Sequence, residues 1–100
     1  MFKHIVFWRL KDTGNGHDQL ASARAMKQKF EALRGVIPGL QRIEVGIDVS
    51  RTDDSCDVAL YSEFESRAAF DVYYEHPAHQ ELVQFIKSVR TERRMVDYEE

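Results

Sequence analysis

Histidine and tyrosine side chains gather in the segment from Tyr73 to His79, which reads YYEHPAH, and another histidine, His4, lies near the start of the chain. A neutral histidine can remove a proton from an activated carbon or hydroxyl near neutral pH. A tyrosine hydroxyl can donate a hydrogen bond to a carbonyl oxygen that gains negative charge. These residues indicate a cofactor-free acid–base site with His79 as the base, Tyr73 as the electrophilic partner and His4 as a third polar group. The pocket residues expected beside them are Val6, Trp8 and His76.

The same residues also permit a purely structural interpretation. His79 would then bond a backbone carbonyl near a helix break, Tyr73 would pack in the core, and His4 would be a satisfied, half-buried side chain. Trp8 could line a ring-binding cavity or could simply be core. Geometry distinguishes the two interpretations, because catalysis needs His79 and Tyr73 to converge on one point beside a cavity.

Other polar residues have simpler explanations. His76 and His79 supply two possible metal ligands, whereas catalytic zinc takes about three and structural zinc about four. No further ligand is evident in the sequence, so we predict no metal and no cofactor. His17, in a glycine-rich loop, is expected to face solvent, and Cys56 is expected to be an unreactive thiol because its neighbours carry no positive charge.

Three arginines lie close together near the C-terminus, at Arg90, Arg93 and Arg94. A cluster of this kind could bind an anion. It could equally pair with nearby carboxylates at the surface, where each ion pair contributes little. The carboxylates within reach are those of Glu92, Asp97 and Glu99.

The elements that must position these residues follow from apolar spacing. Period-two alternation predicts strands at 3–11, 40–50, 56–64 and 93–99, and helical spacing predicts helices at 18–34, 67–74 and 77–89. Ser66 is a suitable N-cap for the second helix. Pro77 suits the first position of the third helix, because the N–H it lacks is not needed there. The chain therefore breaks between two helices at Glu75 and His76.

The strands carry apolar side chains on both faces. The first strand places Phe2, His4, Val6, Trp8 and Leu10 on one face and Ile5 and Phe7 on the other. The second strand is expected to align Ile43, Val45, Ile47 and Val49 on one side. Gly46 within it is expected to mark a bulge or a close backbone approach.

The resulting order is β-α-β-β-α-β, with the second helical element split in two. This order predicts an α+β fold of the ferredoxin-like type, an antiparallel four-stranded sheet with helices on one face, formed by a single domain over residues 1–100. Helices can cover only one face of such a sheet. Because burying each exposed apolar side chain contributes about 1.5–3 kcal/mol, we expect the other face to join two copies in a twofold homodimer.

Composition narrows the possible partners. The net charge of −3 and the isoelectric point near 5.8 argue against a nucleic-acid binder, which normally carries a basic face. The apolar run from Ile5 to Trp8 is too short for a membrane span or a signal peptide. The single cysteine fits a reducing compartment, so a cytoplasmic protein with no membrane partner is expected.

Several motifs match one known family along nearly the whole chain. In family order they are Lys3-His4-Ile5-Val6, Ile37-Pro38-Gly39, Glu44-Val45-Gly46, Ser62-Glu63-Phe64, Tyr73, His76-Pro77-Ala78-His79-Gln80, Arg90 and Val96-Asp97-Tyr98. On these motifs the chain resembles the stress-responsive A/B barrel (Dabb) family of dimeric α+β barrel proteins. The resemblance implies a ferredoxin-like protomer and a homodimer whose two sheets close a barrel.

The resemblance implies more than one function. A plant polyketide cyclase of this family works without metal or organic cofactor; its base histidine corresponds to His79, its assisting tyrosine to Tyr73 and another pocket histidine to His4. A further histidine of that cyclase has no counterpart near Asp57-Val58, so its substrate does not carry over. Other members have no known catalysis, and related barrels include cofactor-independent monooxygenases. We therefore predict a homodimer that binds a small hydrophobic or aromatic molecule between sheet and helices, with a cyclase-like lyase or a monooxygenase as alternatives.

Overall fold

The fold is that of a computed structural model, which describes residues 1–12, 14 and 16–100, with the backbone alone for residues 16 and 17. The expected surface position of the His17 side chain lies outside the described residues. The elements are β1 (Phe2–Leu10), α1 (Gly16–Glu31), β2 (Leu40–Ile47), β3 (Val58–Phe64), α2 (Arg67–Glu75), α3 (Pro77–Val89) and β4 (Arg90–Glu99).

The four strands form one antiparallel sheet in the order β2-β3-β1-β4. Val6 of β1 lies opposite Leu60 of β3 on one side and Met95 of β4 on the other. This arrangement confirms the predicted ferredoxin-like plan. It also places β1, which carries His4 and Trp8, between β3 and the edge strand β4.

The helices cover one face of the sheet, and the predicted alternation of β1 is confirmed. The covered side holds the core, which includes Val6, Trp8, Ile43, Val45, Leu60, Met26, Phe30 and Ile86. On the uncovered side, Phe7 is 40% exposed and Val96 is 49% exposed. Ile5 stands between them as the ladder partner of Val96. We call the uncovered side the outer face and the covered side the inner face.

The second strand is shorter than predicted. It ends at Ile47, and the next residue, Asp48, accepts hydrogen bonds at its carboxylate from the N–H groups of Ser50 (3.2 Å) and Arg51 (2.8 Å). A side chain that bonds the backbone in this way replaces the strand ladder with a turn. The prediction that Val49 shares the buried side of β2 is therefore wrong, since Val49 is 92% exposed.

The structure also differs from the prediction at one position within β2 and at several element boundaries. Gly46 pairs regularly with Ala59, and the register irregularity of β2 lies between Leu40 and Arg42, so a bulge at Gly46 is wrong. The first helix ends at Glu31, because the following turn tightens and Gly35 takes a φ of 75°. The third strand begins at Val58 and the fourth at Arg90. Arg90 follows α3 with no loop between them and pairs directly with Leu10.

In the described part of the chain, no helix has the length and apolar character needed to cross a membrane.

Candidate functional site

A cavity of about 200 Å³ lies between the inner face of the sheet and the helices. Five of the six predicted site residues line it: His4, Val6, Trp8, Tyr73 and His79. The remaining lining is part apolar and part polar, and consists of Phe30, Leu60, Tyr74, Val83, Ile86, Lys87, Arg90 and Arg93.

The break between α2 and α3 delivers Tyr73 and His79 to this cavity. The His76 N–H donates to the Tyr73 carbonyl and closes α2, while the Ala78 N–H donates to His76 Nδ1 at 3.1 Å and opens α3. Pro77 occupies the first turn of α3, as predicted. His76 thus caps both helices. It does not line the cavity, so the structure does not bring this predicted pocket residue to the site.

His79 is held in one tautomer by a backbone bond. Its Nδ1 lies 3.0 Å from the Tyr74 carbonyl oxygen, which can only accept, so Nδ1 carries the proton and donates it. Nε2 is then the unprotonated nitrogen, and none of the described residues hydrogen-bonds it. Burial lowers the pKa of His79 below its usual value, although the bond to Tyr74 opposes this effect. His79 is therefore neutral at pH 7 and offers Nε2 as a base.

Two buried hydrogen-bond donors that line the same cavity as His79 have no partner among the described residues. The hydroxyl of Tyr73 and the indole Nε1 of Trp8 are buried, and neither reaches an acceptor within the described chain. The Tyr73 ring lies 4.3 Å from that of His79, centroid to centroid. Burial raises the pKa of Tyr73, so its hydroxyl stays protonated and can donate. Buried donors without acceptors are rare and carry a free-energy cost.

His4 reaches the same cavity from β1 and is oriented by a carboxylate. Its Nδ1 lies 2.5 Å from Asp97 Oδ1 on the neighbouring strand, which makes Nδ1–H the donor. The backbone carbonyl of His4 accepts from the Ser62 hydroxyl. Burial lowers the pKa of His4, and the hydrogen bond to Asp97 opposes that shift. The buried position of His4 therefore favours the neutral imidazole.

The sequence model of the stress responsive A/B barrel domain matches residues 2–100. The chain belongs to this family. An uncharacterised protein of Streptomyces coelicolor is 35% identical over 80 residues, which is 80% of each chain.

Two solved structures share the fold of this A/B barrel protein. A dimeric protein of unknown function and ferredoxin-like fold from Bacteroides fragilis superposes with a TM-score of 0.89 at 31% identity, covering 99% of this chain and 95% of that one. A hydroxynitrile lyase from Passiflora edulis superposes with a TM-score of 0.74 at 22% identity, covering 97% of this chain and 90% of that one.

The A/B barrel site includes residues that sequence reasoning did not assign to it. Asp97 was expected to pair with arginines, and it bonds His4 instead. Arg90 and Arg93 line the cavity, whereas Arg94 faces the other way and pairs with Glu92 at 3.1 Å. The alternation of β4 separates Arg93 from Arg94. The ladder that sets Asp97 opposite His4 is a long-range register, which a single sequence does not reveal.

The arrangement can bind an oxygen acceptor and transfer a proton. Tyr73 and Trp8 can donate to an oxygen inside the cavity, and His79 Nε2 can accept a proton from a neighbouring atom of the same molecule. Within the described residues, no group of three or more His, Cys, Asp or Glu side chains is arranged to hold a metal ion.

Proposed function

We propose that this A/B barrel protein binds a small, ring-sized molecule through an oxygen acceptor in the cavity between the sheet and the helices. The supporting observation is the pair of buried donors, Tyr73 hydroxyl and Trp8 Nε1, that line one cavity without a protein acceptor. A ligand oxygen in the cavity could accept from either donor. Each such bond would remove the free-energy cost of an unpaired buried group.

The cavity size supports a ligand with a single ring. An apolar protein cavity of about 150 Å³ is large enough to hold benzene. The cavity here measures about 200 Å³, and Val6, Leu60 and Ile86 give it apolar walls. A ring carrying one carbonyl substituent fits this volume and this mixed lining.

Proton transfer is a second candidate function, and the position of His79 favours it. His79 Nε2 has no hydrogen-bond partner among the described residues, and Nδ1 bonds the Tyr74 carbonyl oxygen. The Tyr73 ring packs against the imidazole. In the proposed step His79 Nε2 takes a proton from the carbon next to the ligand carbonyl. The C–H electron pair forms a C=C bond, the π pair of the carbonyl moves onto its oxygen, and Tyr73 stabilises the resulting enolate oxygen by its hydrogen bond. This is the first step of the cyclase-like alternative.

The lyase and the monooxygenase alternatives are supported by different observations and need different tests. The fold is shared with a hydroxynitrile lyase, which supports lyase chemistry on this scaffold; at 22% identity that likeness concerns the fold alone. The monooxygenase alternative stays a separate prediction, which oxygen uptake in the presence of an aromatic substrate would test.

We also propose a homodimer joined through the outer face. Phe7, Val96 and Tyr98 are exposed on this face, and Ile5 and Tyr61 lie among them. The Bacteroides fragilis relative, at 31% identity, is described as dimeric. The single cysteine remains the basis for expecting this dimer in the cytoplasm.

The substitution Tyr73→Phe tests the binding proposal, because it removes only the unpaired hydroxyl. We expect the free energy of unfolding to stay unchanged or to rise by up to about 1 kcal/mol, since no protein hydrogen bond is lost. Affinity for benzamide, a ring-sized carbonyl probe, should fall about tenfold. Trp8 is the only tryptophan and lines the cavity, so its fluorescence reports occupancy.

The matched control is Tyr98→Phe, which removes the same atom from the outer face. It should leave benzamide affinity unchanged. If Tyr73→Phe destabilises the fold by more than about 1 kcal/mol, the hydroxyl has a structural partner and the argument fails. If benzamide leaves the fluorescence of the wild-type protein unaltered at millimolar concentration, the cavity does not bind this class of molecule.

A further inference from the structure

We infer that the cavity selects an anion, namely a ring-sized carboxylate held by Lys87 of α3 and by Arg90 and Arg93 of β4. This inference rests on the proposed binding function and adds the charge of the ligand to it.

The charged side chains that line the cavity all have the same sign. They are Lys87, Arg90 and Arg93, and no Asp or Glu of the described chain is among the lining residues. Asp97, which contacts the cavity residue His4, is engaged by the His4 imidazole. Within the described residues, none of the three cations makes an ion pair. Lys87 and Arg93 are exposed and Arg90 is half-buried, and an anion in the cavity would be attracted by all three charges.

The two arginines owe their direction to the sheet register. Arg93 is the ladder partner of Trp8, and Arg90 is the ladder partner of Leu10, so both share the inner face with those buried residues. Arg94, one residue further along, points to the outer face and pairs with Glu92. The structure thus separates one ion-paired arginine from two that line the cavity and have no ion-pair partner among the described residues.

The positive charge of Arg93 affects three polar groups that line the cavity. It lowers the pKa of His4, of His79 and of Tyr73, although burial is the larger influence on each group. The guanidinium therefore lies near all three polar groups. A ligand that bonds Tyr73 also comes within range of this charge.

A carboxylate on a ring can contact the polar, the cationic and the apolar residues that line the cavity. The carboxylate oxygens can accept from the unpaired donors of Tyr73 and Trp8 and from the guanidinium groups, which match carboxylate geometry with paired N–H donors. The ring can rest on Val6, Leu60 and Ile86. A small inorganic anion would meet the charges but would leave these apolar walls uncovered.

The test compares benzoate with benzamide, which have the same ring and nearly the same size but differ in charge. Binding to the wild-type protein is followed by Trp8 fluorescence. We expect benzoate to bind about tenfold more tightly than benzamide, and we expect added salt to reduce that preference. Arg93→Gln and Arg90→Gln should each weaken benzoate binding several-fold and weaken benzamide binding less, so that the preference for benzoate shrinks.

Arg24→Gln is the charge-matched control. Arg24 is exposed on α1 and does not line the cavity, so its loss changes the net charge equally and should leave the preference intact. Circular dichroism confirms that each variant is folded. Equal binding of benzoate and benzamide, unaffected by Arg93→Gln, would overturn the anion inference and leave the binding proposal standing.

Two other outcomes would also count against the inference. If neither probe binds, both the anion inference and the proposed function fail. If inorganic phosphate displaces benzoate at equal concentration, the site recognises charge without the ring, and the assignment to a ring-bearing carboxylate is wrong.

Discussion

His79 and Tyr73 have complementary protonation states, and both states are set by burial. Burial favours the neutral forms, so His79 is a base and Tyr73 a donor at the same pH. The backbone bond from His79 Nδ1 to Tyr74 selects which nitrogen acts. Such a pair could have been expected from the residue types. The tautomer could not, because it depends on a carbonyl that only the folded helix break brings close.

The proton-transfer candidate predicts a defined pH dependence. Acetophenone dissolved in deuterated buffer should exchange its methyl protons faster with the wild-type protein than without it, and His79→Ala should remove the acceleration. The active form is neutral His79, and burial lowers its pKa below the usual value near 6.5. The acid limb of the rate profile should therefore have its midpoint below pH 6.5. Nuclear magnetic resonance measures the exchange.

The same experiment can contradict the assignment. An acid limb centred above pH 6.5 would mean that a solvent-exposed group carries the step. His4 and Arg93 face His79 from β1 and β4, so His4→Gln serves as the control for a second titrating group. If the protein does not accelerate the exchange of acetophenone methyl protons over buffer alone, the proton-transfer candidate fails for ligands of this class.

Among the elements, the segment from Ser66 to Val89 shows why some features were predictable and others were not. Ser66 caps α2, and Pro77 begins α3, because both effects act within one turn of chain. The end of β2 at Ile47 and the regular pairing of Gly46 depend on contacts with Asp48 and Ala59 that alternation does not encode. Local chemistry therefore predicted the helix break. The end of β2 is set by the turn at Asp48, and pairing with β3 decides the regular geometry at Gly46.

A glycine in the turn before β2 fixes the position of α2. Gly39 has a φ of 80°, and a Cβ placed on it would lie 2.5 Å from Ala69 Cβ. Ala69 lies one helical turn before Tyr73, so this close approach helps to set where Tyr73 enters the cavity. Only glycine accepts both the backbone conformation and the contact.

Gly39→Ala should accordingly be more destabilising than Gly35→Ala. Gly35 has a similar φ of 75°, but nothing lies within 4 Å of its added Cβ. Gly35→Ala should lower the free energy of unfolding by about 1–2 kcal/mol through the left-handed backbone alone. Gly39→Ala should lose a further 1–3 kcal/mol, roughly, through the clash with α2. Urea denaturation at one fixed protein concentration measures both, and equal losses would contradict the packing argument.

At the scale of the whole molecule, the two faces of the sheet have separate roles in this account. The inner face, covered by helices, carries the cavity with Trp8 and Tyr73. The outer face exposes Phe7 and Val96 and, on the present proposal, joins two protomers. Alternation along β1 was enough to predict this division, because neighbouring residues of a strand must face opposite ways. The sequence indicated that the arginine cluster could bind an anion, but it did not place Arg90 and Arg93 at the cavity, since that placement needs β4 in register with β1.

Sedimentation equilibrium at micromolar concentration tests this division most directly, with the wild-type protein and the outer-face variant Phe7→Lys measured side by side. We predict twice the chain mass of 11.7 kDa for the wild type and a shift toward 11.7 kDa for the variant, which should keep its benzamide-induced change in Trp8 fluorescence. A wild-type protein that sediments only at 11.7 kDa would contradict the account.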